Sequence, residues 1–465
     1  MDILIFGTGA LSVGIESEIA PQHTILAFLD NDPKKVGKPR NGIPVLNPED
    51  GIKLPFDHIF TASSFHEEMR SQLTTLGVPE NQITQARTSP EWFNDNTIDF
   101  TSYAIAPDTE SLITHKHRFT LGPKALNEQP MHITESTHNA IIDRLWDSLQ
   151  QALNDADSAA PAYRTGKNWK AFLDATRPNF TTALRTNDKT SFAAMLRSFC
   201  RNELSSGILG GKEAFDDFSV LDLKAGMHEN FKIWSYSIGS APVQELASPS
   251  VGNPYGYLID GHIVHPNTFL NHSRACMVEK LLSRTPAPVI AEIGGGFGGL
   301  AYYIKRKLPS SHYINFDLPE NLLISSYYLA CSFPEKKIYT YRGSEDLARV
   351  IATNEIILLP NFLLPKLADT SIDMFINTIS LSEMNFSTIK EYINQIDRTC
   401  KKYFYHENLI FNSAGYTYFP VDTFPAMRNF TEISRAPSRW PFFSHASRQH
   451  CHSEQLLINN QLLQT

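Results

Sequence analysis

Pro288-Val289-Ile290-Ala291-Glu292-Ile293-Gly294-Gly295-Gly296-Phe297-Gly298-Gly299-Leu300 is the stretch on which the fold of the C-terminal half turns. Val289 to Ile293 is apolar apart from Glu292, as in a strand buried on both faces, and Leu300 to Lys307 has helical periodicity. Five glycines in the six positions from Gly294 to Gly299 make a strand-turn-helix junction where little side chain separates the backbone from a bound ligand. A turn that merely needs positive φ is the plain alternative. Against it, the next strand, His312 to Phe316, ends on Asp317. In an open α/β sheet ligands sit beyond the strand C-termini, where a carboxylate can accept hydrogen bonds from both hydroxyls of a ribose. The pair predicts a nucleoside-cofactor site. Asp317 has a competing role as N-cap of the helix that begins at Pro319-Glu320.

Alternation continues outward from this core. A helix at Glu320 to Ala330 precedes strands at Lys337 to Tyr341, Glu355 to Leu359, Ile372 to Thr378 and Lys402 to Tyr405, with a helix at Thr388 to Thr399 before the last. At the other end, Asp2 to Phe6 runs into Gly7-Thr8-Gly9 and Gly14, followed by Thr24 to Leu29, which stops at Asp30-Asn31-Asp32-Pro33. Gly42 to Leu46, His58 to Ala62 and a helical pattern from Phe65 to Leu76 complete a parallel α/β unit of about 90 residues. Between the two, helical segments at Ala140 to Leu153, Trp169 to Thr176 and Ser191 to Glu203 dominate. The expected fold class is α/β: a small Rossmann-like domain over 1–95, a helical connector or cap over 96–235, and a second doubly wound domain over 236–465.

Composition narrows the function classes. The 465 residues carry 41 Lys+Arg against 49 Asp+Glu, a net charge of −8, with 42% hydrophobic and 19% charged residues. That is the profile of a soluble folded chain, and it argues against a nucleic-acid binder, which needs a clustered basic surface. No stretch reaches the roughly 20 apolar residues of a membrane helix, so no integral membrane segment is expected. Five cysteines without short spacing fit thiols in a reducing cytoplasm.

Residues 292 to 303, with Phe316-Asp317-Leu318-Pro319-Glu320 and Ser326-Tyr327-Tyr328-Leu329, resemble the sugar O-methyltransferases, class I enzymes dependent on S-adenosyl-L-methionine. The resemblance spans about residues 250 to 410. It implies that Gly294, Gly295, Gly296, Phe297 and Gly298 pack under the methionine and ribose of the donor, that Glu292 orients the methionine end, and that Asp317 and Leu318 hold the ribose. Leu359 to Pro365 resembles a segment that usually carries Asp before Phe, which makes Asn361 the candidate adenine contact. Asn377 and Glu383, in the segment after the fourth strand, would face donor and acceptor. Glu383 has the alternative of simply starting the next helix, where its charge suits the dipole.

Methyl transfer to a hydroxyl requires alignment and a base. His272, His406 and His445 are the histidines within reach in this fold, each with the alternative of a packed or surface histidine. Asp369, Asp373 and Glu383 form no tight ligand spacing, so no metal is predicted. The N-terminal turn is a late variant of GxGxxG. With its following segment it resembles the small N-terminal domain of bacterial sugar acetyltransferases, in which a nucleotide-linked sugar is bound. Gly7, Gly9, Gly14, Asp30 and Asp32 are the corresponding candidates, and a packing or self-association module is the alternative. Asp260-Gly261 predicts a hairpin. Arg435, Arg439, Trp440 and Pro441 read as a loop, with Arg439 and Trp440 suited either to a sugar or diphosphate or to ordinary packing. The expected partner is a sugar or sugar-nucleotide acceptor. Rival readings are a nicotinamide-dependent oxidoreductase or epimerase and a non-catalytic sugar-nucleotide binder.

Overall fold

In the computed structural model of the chain, the described residues are 1–8, 23–62, 66–85, 121–131, 133–238, 241–343, 346–409, 419–438, 440 and 452–464. The N-terminal unit is a parallel five-stranded sheet in the order β3-β2-β1-β4-β5, built from β1 (Asp2–Phe6), β2 (Thr24–Leu29), β3 (Val45–Leu46), β4 (His58–Thr61) and β5 (Ile83–Gln85), with helices α1 (Pro48–Gly51) and α2 (His66–Thr75). Leu4 and Phe6 of β1 enter one core with Leu29, Ile59 and Leu73, while Ile3 and Ile5 enter another with Phe28 and Val45. Burial on both faces is why this strand is apolar without alternation.

The middle segment is helical: α3 (Glu135–Ala156), α4 (Lys167–Thr176), α5 (Pro178–Thr186), α6 (Lys189–Arg197), α7 (Gly211–Val220) and α8 (Lys224–Ile238). The single helix expected from Ser191 to Glu203 ends instead at Arg197 and continues as 3-10 turns at Phe199–Arg201 and Glu203–Ser205. The Asn202 side chain causes the break: it donates to the Met195 carbonyl and accepts from the Leu204 N–H, replacing helical partners. The predicted hairpin forms, joining β7 (Gly256–Ile259) to β8 (His262–Val264) with Asp260 and Gly261 both at positive φ, and it pairs with β6 (Lys124–Ala125).

The large sheet follows, with α9 (Pro266–Leu282), β9 (Val289–Ile293), α10 (Gly299–Lys307), β10 (His312–Asp317), α11 (Pro319–Ser332), β11 (Ile338–Thr340), α12 (Leu347–Thr353), β12 (Ile356–Pro360), β13 (Ile372–Thr378), α13 (Phe386–Thr399), β14 (Cys400–Leu409), β15 (Phe430–Pro437) and β16 (His452–Asn459). Its order is β11-β12-β10-β9-β13-β14-β16-β15. The first six strands are parallel, and β16 runs antiparallel to both neighbours. The chain winds from β9 one way through β10 and β12, then returns past β9 to β13, so the switch point lies at the end of β9, beside the glycine turn. This is the Rossmann-like doubly wound domain expected from the sequence. The antiparallel pair was not: Arg435 lies within β15 rather than in a loop, because the first half of β16, His452-Ser453-Glu454-Gln455, is buried polar sequence that lacks an apolar strand pattern.

One hydrophobic core joins the helical segment to this sheet. Trp146, Phe192, Phe199, Leu204 and Trp234 are packed in the same cluster as Ile290, Tyr313, Tyr327 and Tyr328. Helix α8 runs straight through residue 235. No helix among the described residues is long and apolar enough to cross a membrane.

Candidate active site

The glycine turn is held down by the strand beside it. Tyr313, Asn315 and Asp317 alternate along β10 and present their polar ends to the turn. The Tyr313 hydroxyl donates to Glu292 Oε2, Asn315 Oδ1 accepts from Gly295 N at 3.1 Å, and Asp317 Oδ2 accepts from Gly296 N at 3.1 Å. Gly294 and Gly296 stand at φ +72° and +56°. A Cβ on Gly294 would lie 2.2 Å from Ser380 Oγ, whereas one on Gly296 would meet nothing closer than Ile208 Cγ2 at 3.5 Å. Part of the glycine requirement is therefore internal packing, while at Gly296 a Cβ would make only ordinary van der Waals contact with Ile208. Gly295 has no room either, since its Cβ would lie 2.7 Å from Glu292 Oε2. Gly298 is the left-handed N-cap of α10, where a Cβ would press against Leu329 Cγ at 3.2 Å. Phe297 packs edge-on against Tyr328 and near Phe199, joining the turn to the helical segment.

Three carboxyls surround this end of the sheet. Glu292, buried, is raised to about 7 by desolvation, with Asp317 adding repulsion. Asp317 is raised to about 6, also chiefly by desolvation, although N–H donors from Leu318 and Gly296 offset part of it. Glu383 keeps an accessible side chain yet is crowded closely enough to be raised to about 7, with desolvation first and Asp317 second.

The cap role open to Asp317 is not the one it plays. Leu318 occupies the N-cap of α11 without a side-chain bond, and Asp317 Oδ1 accepts from the adjacent Leu318 N at 2.7 Å and from Asn321 Nδ2 at 3.4 Å. Glu383 likewise does not start α13. It ends a 3-10 turn at Ser380–Glu383, and Asn385 caps the helix by accepting from Thr388 N at 2.9 Å. The turn that carries Glu383 is entered through Ile379 at φ +76°, a conformation that a β-branched residue adopts only under strain. Its N–H is tied to the Glu407 carbonyl at 2.6 Å. Glu407 is itself buried against Arg274, 2.5 Å away; burial opposes its ionisation, but Arg274 prevails and holds the carboxyl below its usual value.

Asn361 follows β12. Its Nδ2 donates to the Tyr163 carbonyl and to the Tyr392 hydroxyl, both at 2.9 Å, while its Oδ1 is buried without a partner among the described residues. Asn377 is fully committed: it donates to the Ile293 carbonyl at 2.9 Å and to Ser380 Oγ at 2.6 Å, and accepts from Asn408 Nδ2 at 2.8 Å. It braces the strand ends rather than presenting a free amide.

Two of the candidate histidines, His272 and His406, take the packed alternative. His272 accepts from Trp234 Nε1 at 3.0 Å and its Nε2 lies 2.9 Å from Glu245 Oε2, so both ring nitrogens are engaged; burial lowers it to about 4. His406 lies in β14 against the rings of Phe404 and Phe424, and desolvation lowers it to about 3. Neither is tuned for proton abstraction near neutral pH. His445 lies outside the described residues, as do Arg439, Gly9 and Gly14. Trp440 is buried in the main core, which is the packing alternative. Arg435 is paired with Asp422 and Glu432.

In the N-terminal unit Gly7 takes φ +112° and donates to the Leu29 carbonyl. Asp30 receives bonds from Thr8 N, the Thr8 hydroxyl, Lys35 Nζ and Asp32 N; burial opposes its charge, but these donors, Thr8 foremost, hold its carboxyl below the usual value. Asp32 accepts from Lys34 N at 2.9 Å and shapes the turn. Among the described residues, then, Asp30 and Asp32 brace this unit's own loops. No group of three or more His, Cys, Asp or Glu arranged to hold a metal occurs among the described residues.

Sequence reasoning missed Arg177, from the junction of α4 and α5. It has 0% exposure and lies within electrostatic reach of Glu320, Asp317 and Glu203. Nothing local in the sequence marks it, since its placement depends on how the helical segment packs on the sheet.

Residues 1–84 match the family described as C2185-like, N-terminal. No curated protein matches the chain. Among solved structures it is similar to the mitomycin 7-O-methyltransferase MmcR, at 12% identity and TM-score 0.28 over 53% of this chain and 63% of that one, so less than two thirds of that protein is spanned. The plantazolicin methyltransferase BpumL in complex with S-adenosylhomocysteine (SAH) is similar at 13% identity and TM-score 0.25, over 41% of this chain and 82% of that one. The magnesium protoporphyrin IX methyltransferase of Synechocystis, with SAH bound, is similar at 8% identity and TM-score 0.27, over 41% and 84%.

Proposed function

We propose that this chain transfers a methyl group from S-adenosylmethionine to a hydroxyl of a sugar, whether free, nucleotide-linked or part of a glycan, in surface-polysaccharide or related glycan synthesis in the cytoplasm. The observation that carries the donor half of this reading is the convergence of buried Glu292 and Asp317 with accessible Glu383, all raised above the usual carboxylate value. Like charges crowded together, two of them buried, are costly unless a cation joins them. S-adenosylmethionine brings a sulfonium and an ammonium, together with a ribose whose hydroxyls need an acceptor.

The residues fit that group. Asp317 serves the pentose, the unpartnered Asn361 Oδ1 accepts from the exocyclic amine of adenine, Glu292 faces the methionine end, and the lack of a side chain at Gly296 permits close approach. When bound, the donor supplies an electrophilic methyl on positively charged sulfur. Glu383 is the base in this reading. A carboxyl near 7 that solvent can reach is matched to taking a hydroxyl proton at neutral pH, and an anion there also favours the approaching positive charge. The sugar half rests on the resemblance of both α/β units to sugar-modifying enzymes.

Isothermal titration with SAH tests the donor, and incubation with S-adenosylmethionine and a sugar-nucleotide pool followed by mass spectrometry tests the acceptor. The expected results are saturable binding that Asp317→Ala weakens by at least about tenfold, and a sugar nucleotide heavier by one methyl. A folded protein that binds neither SAH nor S-adenosylmethionine removes the reading.

A further inference from the structure

Arg177 is the C-cap of α4 and the N-cap of α5, with its own N–H bonded to the Leu173 carbonyl at 2.7 Å, so its backbone is fixed at a helix joint. Its Nη2 donates to the Ser206 carbonyl at 2.6 Å. Nε and Nη1 are buried with no acceptor among the described residues. Leaving two donors of a guanidinium unfilled costs more than the one bond gains. Three carboxylates lie within electrostatic reach, but none is joined to it by an ion pair among the described residues. Glu203 is occupied elsewhere, accepting from Phe180 N at 2.6 Å and Asn179 Nδ2 at 2.8 Å at the start of α5. Glu320 leaves Oε2 buried and without a partner among the described residues, and Asp317 faces the glycine turn. The same stretch of the helical segment brings Ile208 over Gly296.

Unfilled donors on one side and carboxylate oxygens on the other, too far apart to pair, call for a group that accepts from the first and donates to the second. A hydroxyl does both, and a vicinal diol does so twice. We propose that Arg177 completes the pentose site from the helical segment, accepting the ribose diol of the donor between its guanidinium and the carboxylates of Asp317 and Glu320. The inference rests on the donor reading above. It makes the helical segment part of the donor site rather than only a connector or cap.

The test crosses protein and ligand changes. Titrations of SAH and of its 2′,3′-dideoxy analogue are run on the full-length protein, on Arg177→Met and on Arg177→Lys, with circular dichroism to confirm folding. In the parent the diol is expected to improve affinity strongly. In Arg177→Met that advantage shrinks by about tenfold to a hundredfold, because SAH loses its charged donor and the analogue had none to lose. Arg177→Lys, which keeps the charge but not the fork, is expected to fall between them. A diol advantage unchanged in both variants overturns the proposal. If Arg177→Met does not fold, Arg177→Lys decides by the same ratio. No SAH binding by the parent is a different failure, that of the donor reading, and it is read from the first titration alone.

Discussion

At the scale of single residues, the raised carboxyls make opposite demands on stability and activity. The folded-state value of Glu292 is about 7 against 4.5 unperturbed. The native state therefore holds a proton that the unfolded chain has lost between those values, and stability falls as pH rises through that window, then stays lower above it. For Glu292 alone the loss is on the order of 3 kcal/mol. Glu292→Gln should lose about that much less than the parent between pH 4.5 and 8 in chemical denaturation while binding SAH more weakly. Equal pH slopes in the two proteins would show that burial does not perturb this carboxyl. Glu383 argues the other way. As a base it must be ionised, so the rate should rise with pH to a plateau with a midpoint near 7. Glu383→Gln should lower turnover by about 10² to 10⁴ and leave SAH affinity within about threefold. A variant that retains turnover, or retains the acid limb of the profile, assigns the proton to another group.

At the scale of elements, the strand-turn-helix unit was legible because its cues are local: an apolar run, a glycine cluster, a carboxylate ending the next strand. The alternation Tyr313-x-Asn315-x-Asp317 was equally present in the sequence, and it marks a polar ridge on one face of β10 that grips the turn. What local reading left out was the antiparallel pair, in which the polar first half of β16 pairs alongside buried Glu407, and the break in α6, where one asparagine side chain replaces helical partners. The two roles of glycine separate by mutation. Gly294→Ala places a Cβ 2.2 Å from Ser380 Oγ at positive φ, which should cost on the order of 2–4 kcal/mol in denaturation. Gly296→Ala meets no atom of the described residues closer than 3.5 Å and should cost about 1–2 kcal/mol from its φ alone, yet weaken SAH binding by at least about tenfold. Undiminished affinity in a folded Gly296→Ala protein would put the donor somewhere other than against this backbone.

At the scale of the whole molecule, the chain has fewer independent parts than its three-way composition suggests. The helical segment cannot be removed without opening the sheet, because Phe199, Trp234, Tyr313 and Tyr327 share one core, and Arg177 carries a charge into the neighbourhood of Asp317. No pattern of spacing could announce this, since it depends on packing between residues more than a hundred positions apart. The N-terminal unit is different. Its cores draw only on residues from Ile3 to Ile83, and those of the remainder only on residues from Leu121 onward, among the described residues. Buried area shared across a boundary is what makes two units unfold together, and among the described residues no hydrophobic cluster spans both units. Deleting residues 1–85 should therefore leave SAH affinity within about threefold and simplify denaturation by one transition, whereas transfer to a nucleotide-linked sugar is the activity that would fall if this unit holds the acceptor. Loss of SAH binding on that deletion would mean that the two α/β units are energetically one.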